Sequence, residues 1–363
     1  MRFPEFTEEW NYESLDTIAP NITSGRSKPS LGEYNLYGST GIIGKTATAD
    51  YSGDMLLVAR VGANAGSLQL VNDSCGITDN TLIIKPCKLS SHYLYFYLQH
   101  YNLNRLVFGS GQPLITAGML KKVRIPFGNQ LEQKKIENFL CCIDERITTQ
   151  NKIIEDLKKL KSAIVEMILC KQGGVLLKLG DVGSFIRGLT YSSEDIAEDI
   201  NATTVIRANN LNYGNNVSKK DVVYVNKKPT EIQILRKGDI VICMANGSSS
   251  LVGKNSYYSF DDRQSTIGAF CGIYRSSQPL VKWLMQSQRY RRLVYQSLQG
   301  GNGAIANLNG DDILNMTFYV VEDKKSVSIL SALVLIENSI AVNEKLQELY
   351  SMQKEYLLQH LFI

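Results

Sequence analysis

From Ile136 onward the chain repeats a 4-3-4-3 spacing: Ile136, Leu140, Ile143, Ile147, Gln150, Ile154, Leu157, Lys161, Ile164 and Ile168. That rhythm is the seam of a coiled coil, here with an amide and a lysine set into it. Residues 131–169 contain no Pro or Gly, so the pattern predicts one helix of about 58 Å at 1.5 Å per residue. Gly173-Gly174 supplies its stop. Adding 193 to each seam number gives Ile329, Leu333, Ile336, Ile340, Asn343, Gln347, Tyr350, Lys354, Leu357 and Leu361. The second seam keeps an amide at 150/343 and a lysine at 161/354. Unrelated surface helices rarely share polar defects at matched seam positions, so the pattern reads as a duplicated helix. A helix this long wants a partner helix, and its duplicate lies in the same chain. Pairing falls to Ile143, Ile147, Gln150 and Ile154 on the first and Ile336, Ile340 and Asn343 on the second. If they run antiparallel, two similar globular parts stand a fixed distance apart, related by an approximate twofold axis.

The globular parts repeat as well. YESLDTIAPNITSG (12–25) returns as LLKLGDVGSFIRG (176–188), and SGDMLLVARVGANAGSL (52–68) as KGDIVICMANGSSSL (237–251). NRLVFGSGQPLITAGMLKKVRIPF (104–127) returns as RRLVYQSLQGGNGAIANLNGDDILNMTFYV (291–320). Short alternating segments such as MLLVARV, TLIIKP, DIVICMA and IGAFCGIY predict strands bounded by turns. One Tyr-rich helix is expected in each part, at 90–108 and 278–298, its tyrosines reading as a packing stripe before a base-stacking one. The polar loops GSGQPLIT (109–116) and QGGNGAIANL (299–308) fill a core poorly and suit close approach to phosphates or base edges. The fold expected is α/β (α+β), two similar mixed domains separated by two long helices in an antiparallel coiled coil. Its divisions are 1–130, first domain; 131–172, first helix; 173–323, second domain; and 324–363, second helix.

GSTGIIGKT (38–46) imitates a phosphate-binding loop, but the pattern needs Gly at position 39, where serine stands. The glycines read better as turns between short strands. Seven cysteines form no C-x-x-C pair, and none of the three histidines stands at metal-ligand spacing from one. The expectation is reduced, mostly buried thiols and no metal site. Net charge of +4 permits a polyanionic partner without implying one. The apolar run 329–342 is broken by Glu337 and Asn338 and reads as too short to span a bilayer. MRFPEFTEEW lacks the order of a signal peptide, so a cytoplasmic protein is expected. No catalytic constellation is present: no Asx-Pro-Pro-aromatic motif, no Gly-x-Ser-x-Gly elbow, no histidine placed to serve a nucleophile.

FPEFTEEWNYESLDTIAPNITSG, FGSGQPLIT, and above all VRIPFGNQLEQKKIENFLCCIDERI (123–147) are similar to specificity subunits of type I restriction–modification systems. The second copy departs from this pattern, since FYVVEDKKSVSIL (318–330) lacks the Ile-Pro and Glu-Gln pairs, which leaves open how equally the two helix starts engage a partner. The resemblance implies a non-catalytic subunit with two target-recognition domains, each reading one half of a split double-stranded DNA sequence. It implies helices that dock methyltransferase subunits, and a restriction motor subunit joined through the complex. S-adenosylmethionine, ATP and Mg are then expected in the partner subunits and no cofactor in this chain. The candidate DNA contacts are Arg26, Lys28, Arg60, Asn64, Ser110 and Gln112 in the first part, and Arg187, Asn246 and Asn302 in the second. Two other readings stay open at this point: a coiled-coil scaffold that binds proteins, and a nucleotide-binding enzyme built on GSTGIIGKT.

Overall fold

The computed structural model describes residues 2–109, 113–169, 174–298, 306–321 and 323–362. Strands bounded by turns build both globular parts, and two long helices run over Gln130–Met167 and Asp323–Leu361. Two compact units result: Met1–Lys152 with Glu344–Ile363, and Ile153–Asn343. Each holds one globular part and a portion of both helices, a different division from one drawn at the helix ends.

In the first unit Asn11–Ser14 pairs antiparallel with Arg124–Phe127, placing Tyr12 opposite Pro126. The chain turns at once into the short helix Leu15–Ile18, capped by the Ser14 hydroxyl accepting from the Thr17 amide at 3.3 Å. A six-stranded sheet follows, in the order Thr23–Ser24, Thr81–Ile84, Tyr51–Ala59, Leu68–Ile77, Tyr34–Gly38, Gly41–Thr46. Its last two strands form a tight hairpin in which GSTGIIGKT supplies the turn and the whole of the last strand, and Gly41 takes φ +108°, open to glycine and strained for other residues. Lys45 lies in a strand and its Nζ donates to the Glu33 carbonyl at 3.0 Å and to Asn35 Oδ1 at 2.9 Å. A phosphate loop must open a helix, and here a strand follows, so the nucleotide-hydrolase reading fails on geometry.

The helix Ser91–Tyr101 packs on this sheet, with Tyr93, Leu94, Phe96 and Leu98 buried. Tyr93 and Tyr97 donate to the carbonyls of Pro126 and Arg124, each at 2.9 Å. The tyrosine stripe is therefore a stripe of core residues with satisfied hydroxyls.

The second unit repeats the frame. Val175–Lys178 pairs antiparallel with Thr317–Val320, and the short helix Leu179–Val182 follows. Its strands divide into two four-stranded sheets: Gly183–Arg187, Cys271–Ser276, Ile240–Cys243, Asn255–Tyr257, and Ile196–Ala197, Val223–Val225, Thr203–Ile206, Ser265–Ile267. The Tyr-rich helix expected over 278–298 is two helices, Val281–Leu284 and Gln288–Leu298. Ser287 makes the break: its hydroxyl donates to the Leu284 carbonyl at 2.6 Å and accepts from the Tyr290 amide at 3.2 Å. A serine that bonds backbone on both sides competes with helix continuation.

Within each unit the two long-helix segments run antiparallel. In the first, Ile136, Leu140 and Ile143 share a core with Leu357 and Leu361, and Asp144 meets Lys354 at 2.7 Å. In the second, Val165 and Ile168 share a core with Leu333, and Lys161 meets Glu337 at 3.3 Å. Contrary to the expectation from the run 329–342, Ser326–Leu361 is long and apolar enough, by length and composition, to cross a bilayer. Helical continuity beyond Val342 supplies the length that the run itself lacks. In this fold its Leu333, Ile340, Leu357 and Leu361 are buried against protein.

The first helix begins at a buried acid. Glu132, wholly buried, accepts from Arg2 Nε at 2.6 Å, Arg2 Nη2 at 2.7 Å and Trp10 Nε1 at 3.0 Å. Its amide donates to Asn129 Oδ1 at 3.0 Å, and Gln133 Nε2 donates to the Gly128 carbonyl at 2.9 Å. Of the Glu-Gln pair missing from the second copy, Glu132 thus serves the chain's own N-terminal segment, and Gln133 holds the turn before the helix. Of the six cysteines described, Cys75, Cys243 and Cys271 are buried, but Cys87 and Cys142 are exposed and Cys141 half-buried. The expected burial holds for the sheet cysteines and fails on the loop and helix surface.

Candidate nucleic-acid interface

In the first unit the loop after Tyr51–Ala59 is held between two other segments. The Arg60 amide donates to the Asn80 carbonyl and the Ile115 amide to the Arg60 carbonyl, both at 2.9 Å. Gly62, at φ +80°, donates to the Pro113 carbonyl at 3.0 Å, and Val61 and Phe108 both bridge to Leu114. Gly25 donates to the Thr81 carbonyl at 3.0 Å, so the segment carrying Arg26 also abuts residues 80–81. Arg26, Lys28 and Asn64 are exposed and Arg60 half-buried. The structure thus gathers the backbones of Arg26 and Arg60 about one turn. Lys28 follows Ser27, whose amide donates to the Ile77 carbonyl at 2.9 Å and whose hydroxyl donates to Asp50. Those bonds from Ser27 and Thr48 hold the Asp50 carboxyl below its usual range. Ser110 and Gln112 lie outside the described residues, in a segment whose flanks, Phe108 and Leu114, are pinned to each other.

The second unit builds the corresponding junction. Ala245–Asn246, after Ile240–Cys243, pairs antiparallel with Ala306–Asn307. The Leu308 amide donates to the Met244 carbonyl at 2.7 Å. In both units, then, the loop after the Gly-Asp strand is stitched to the segment bordering the polar glycine loop. Asn246 is half-buried, its Oδ1 accepting from the Ser248 amide at 3.0 Å. Arg187 is exposed at the end of its strand, its carbonyl accepting from Gln233 Nε2 at 3.1 Å. Asn302 lies outside the described residues.

Of the helix-pairing residues, Ile143, Gln150, Ile154 and Ile340 are buried, while Ile147, Ile336 and Asn343 are half-buried. Asn343 Nδ2 donates to the Ser339 carbonyl one turn back, at 2.7 Å.

Sequence reasoning missed a cavity of about 420 Å³ beside Asn246, lined among others by Tyr191, Arg207, Asn209 and Phe270. Arg207 and Gly268 leave two neighbouring parallel strands, Thr203–Ile206 and Ser265–Ile267, at their carboxyl ends. The matched stretches of the sequence repeat skip residues 189–236, so they give no signal at Arg207.

The two stitched loops, one in each unit, carry Arg, Asn and Gly, and among the candidate residues there is no acid-base pair or nucleophile. Residues 2–159 match the family model of the type I restriction modification DNA specificity domain, a specificity domain and not a catalytic one. The chain is 28% identical over 164 residues to the Escherichia coli (strain K12) type I restriction enzyme EcoKI specificity subunit, covering 43% of this chain and 35% of that protein. It is 25% identical over 209 residues to the MjaVIII specificity subunit of Methanocaldococcus jannaschii, covering 50% of this chain and 48% of the relative. These matches thus span less than half the length of either curated relative. The fold is similar to the crystal structure of a type I restriction-modification S subunit from M. genitalium, with TM-score 0.67, 16% identity, and 99% and 97% of the two chains covered. A structure describing complex assembly and conformational transition of the type I R-M system matches at TM-score 0.55 and 14% identity, covering 98% and 97%. The matching domain over residues 2–159, the curated relatives and the shared fold together support a type I restriction–modification specificity subunit.

Proposed function

We propose that the chain recognises a split double-stranded DNA sequence, each compact unit reading one part, as the DNA-reading subunit of a type I enzyme. The observation that carries this reading is the repeated junction: Val61 bridged to Leu114 in one unit, Asn246 paired with Ala306 in the other. In this reading the chain supplies no chemistry. Partner methyltransferase subunits hold S-adenosylmethionine, and a restriction motor subunit joined through the complex uses ATP and Mg. Its place is the cytoplasm, where the DNA is.

Support for helix docking comes from a second apolar stripe, distinct from the seam. Leu335, Val342, Leu349 and Tyr356 recur at intervals of seven on the second long helix and are 66%, 67%, 49% and 54% exposed. A heptad of large exposed apolar side chains suits a further helix laid along it. Methyltransferase subunits are the partners proposed for this face.

The test replaces residues 173–323 with the matching domain of a relative and maps methylation of DNA from cells carrying the hybrid. One half of the methylated sequence changes, and the other half and the unread spacing stay. If both halves change together, the proposal falls.

A further inference from the structure

Among the described residues, the cavity beside Asn246 holds one formal charge, that of Arg207, and no carboxylate lines it. Arg207 is fixed at its backbone: its amide donates to Asn210 Oδ1 at 2.9 Å, and Asn210, itself buried, donates to the Lys220 carbonyl at 2.7 Å. Its side chain is held loosely by comparison. Nη2 donates to the Asp221 carbonyl at 3.2 Å, and Nε is buried without an acceptor among the described residues. A buried donor left unmade is unfavourable. Turning the guanidinium into the cavity breaks one long bond and brings Nε to where an acceptor can meet it.

The rim shows what that acceptor is. Phe270 is 69% exposed, although its backbone is pinned by bonds from the Met244 and Ala245 amides at 2.8 and 3.3 Å. Tyr191 lines the same cavity. A cavity lined by a planar cation and two aromatic rings, with no acid among its described lining residues, fits a flat, acceptor-rich edge. Among base edges in the major groove, guanine offers two acceptors, O6 and N7, matched to the guanidinium fork; cytosine offers a donor that Arg207 cannot accept.

We propose that Arg207 fixes one G·C pair of the second unit's part of the target, donating to guanine O6 and N7, with Phe270 packed against the neighbouring base. This rests on the reading that the second unit binds DNA. It makes Arg207 a specificity-determining residue and not merely a phosphate contact.

The experiment uses the full chain assembled with its methyltransferase subunits. Methylation is mapped, and binding measured on the mapped target and on unrelated duplex, for Arg207→Ala, Arg207→Lys and Phe270→Ala. Arg207→Ala should lose preference at one base pair and weaken binding to the mapped target by roughly 10- to 100-fold, with binding to unrelated duplex unchanged. Arg207→Lys keeps the charge and loses the fork, so it should relax the same position with a smaller loss; this variant carries the test if Arg207→Ala fails to fold. Phe270→Ala should weaken the mapped target alone. An unchanged target at unchanged affinity, or an equal loss on all duplexes, overturns the assignment. If replacing residues 173–323 changes half of the target while the Arg207 variants do not, this inference alone fails. If that replacement changes nothing, the reading beneath it fails too.

Discussion

Lys354 Nζ stands 2.7 Å from Asp144, and this ion pair is the exchanged copy of the 3.3 Å pair between Lys161 and Glu337. The repeat offset shows it: 161 + 193 = 354 and 144 + 193 = 337. Each lysine sits in the seam of one helix and takes its acid from the other. The two pairs differ in exposure. Lys161 is 8% exposed and also borders the Trp283 ring, whereas Asp144 is 34% exposed. Burial pulls the Lys161 ammonium below the usual lysine range against the attraction of Glu337.

Removing Glu337 strands the buried Lys161 and also deprives Lys282 of its acid. Glu337→Ala should lower unfolding stability by about 3 kcal/mol, whereas Asp144→Ala, at a wetter site, should cost about 1 kcal/mol. Replacing Lys161 and Glu337 together by Met and Leu should recover most of the loss. Urea unfolding of the four proteins measures this; equal losses for the two single variants would contradict it.

Glu132 is the acceptor for three donors from the N-terminal segment. Glu132→Ala should cost about 3 kcal/mol, because Trp10 and Arg2 lose their partner where water reaches them poorly. It should also expose residues 2–10 to limited proteolysis. Unchanged stability and unchanged cleavage would show that the segment is held by other means.

Arg26 and Lys28 are exposed on a segment whose backbone is held by residues 77–81. If they meet phosphates, the Arg26→Ala, Lys28→Ala double variant should weaken binding on every sequence. It should also lower the slope of log affinity against log salt by roughly 2. An unaltered slope removes both residues from the interface.

The exposed heptad on the second long helix predicts a separable defect. Leu335→Glu with Val342→Glu should abolish co-purification with methyltransferase subunits while leaving the helix content and melting temperature of the lone chain unchanged. Retained assembly would place docking on another face.

Burial sets the alkaline limit of the fold. It pushes the Cys75 thiol up to about 11 and Cys271 up to about 12, from 9.0. The phenols of Tyr97 and Tyr274 rise from 10.0 to about 12. A group whose folded pKa is raised holds more protons folded than unfolded, so its contribution is full below the ordinary pKa and is lost as pH rises toward the folded value. Stability should therefore be flat up to about pH 9 and fall steadily from there to about 12. Cys271→Ser should leave the onset near pH 9, which Cys75 shares, and make the fall toward about 12 shallower; thermal melts across that range would detect it.

How much of this was legible depends on distance along the chain. The heptad gave both long helices nearly to the residue, because its period is local. The seam lysines were visible, but their acids were not, since Asp144 and Glu337 stand off the seam and only the fold brings them across. Glu132 could be seen as part of a family stretch; its burial depends on Arg2, 130 residues earlier. The Tyr-rich helix of the second part reads as unbroken in sequence because Ser287 carries no Pro or Gly signal, only a hydroxyl that bonds backbone on both sides. In the sequence Arg26, Arg60 and Asn246 stand out only as polar residues of glycine-bearing loops, and the structure sets those loops in stitched junctions. Arg207 and Phe270 lie where the repeat is silent, so comparing the chain with itself could not reveal them.

The strand pairs Asn11–Ser14 with Arg124–Phe127, and Val175–Lys178 with Thr317–Val320, have a consequence for heredity. In each case the chain leaves a globular part hydrogen-bonded beside the strand on which it came in. Whatever lies between two such neighbouring strands can differ in length and sequence while its anchor points stay put. Two crossovers in the gene, one in each strand's coding segment, exchange a whole recognition surface in a single event. The long helices pass through that event unaltered. In the proposed reading, a lineage thus acquires a new DNA target while the helix faces stay as they were.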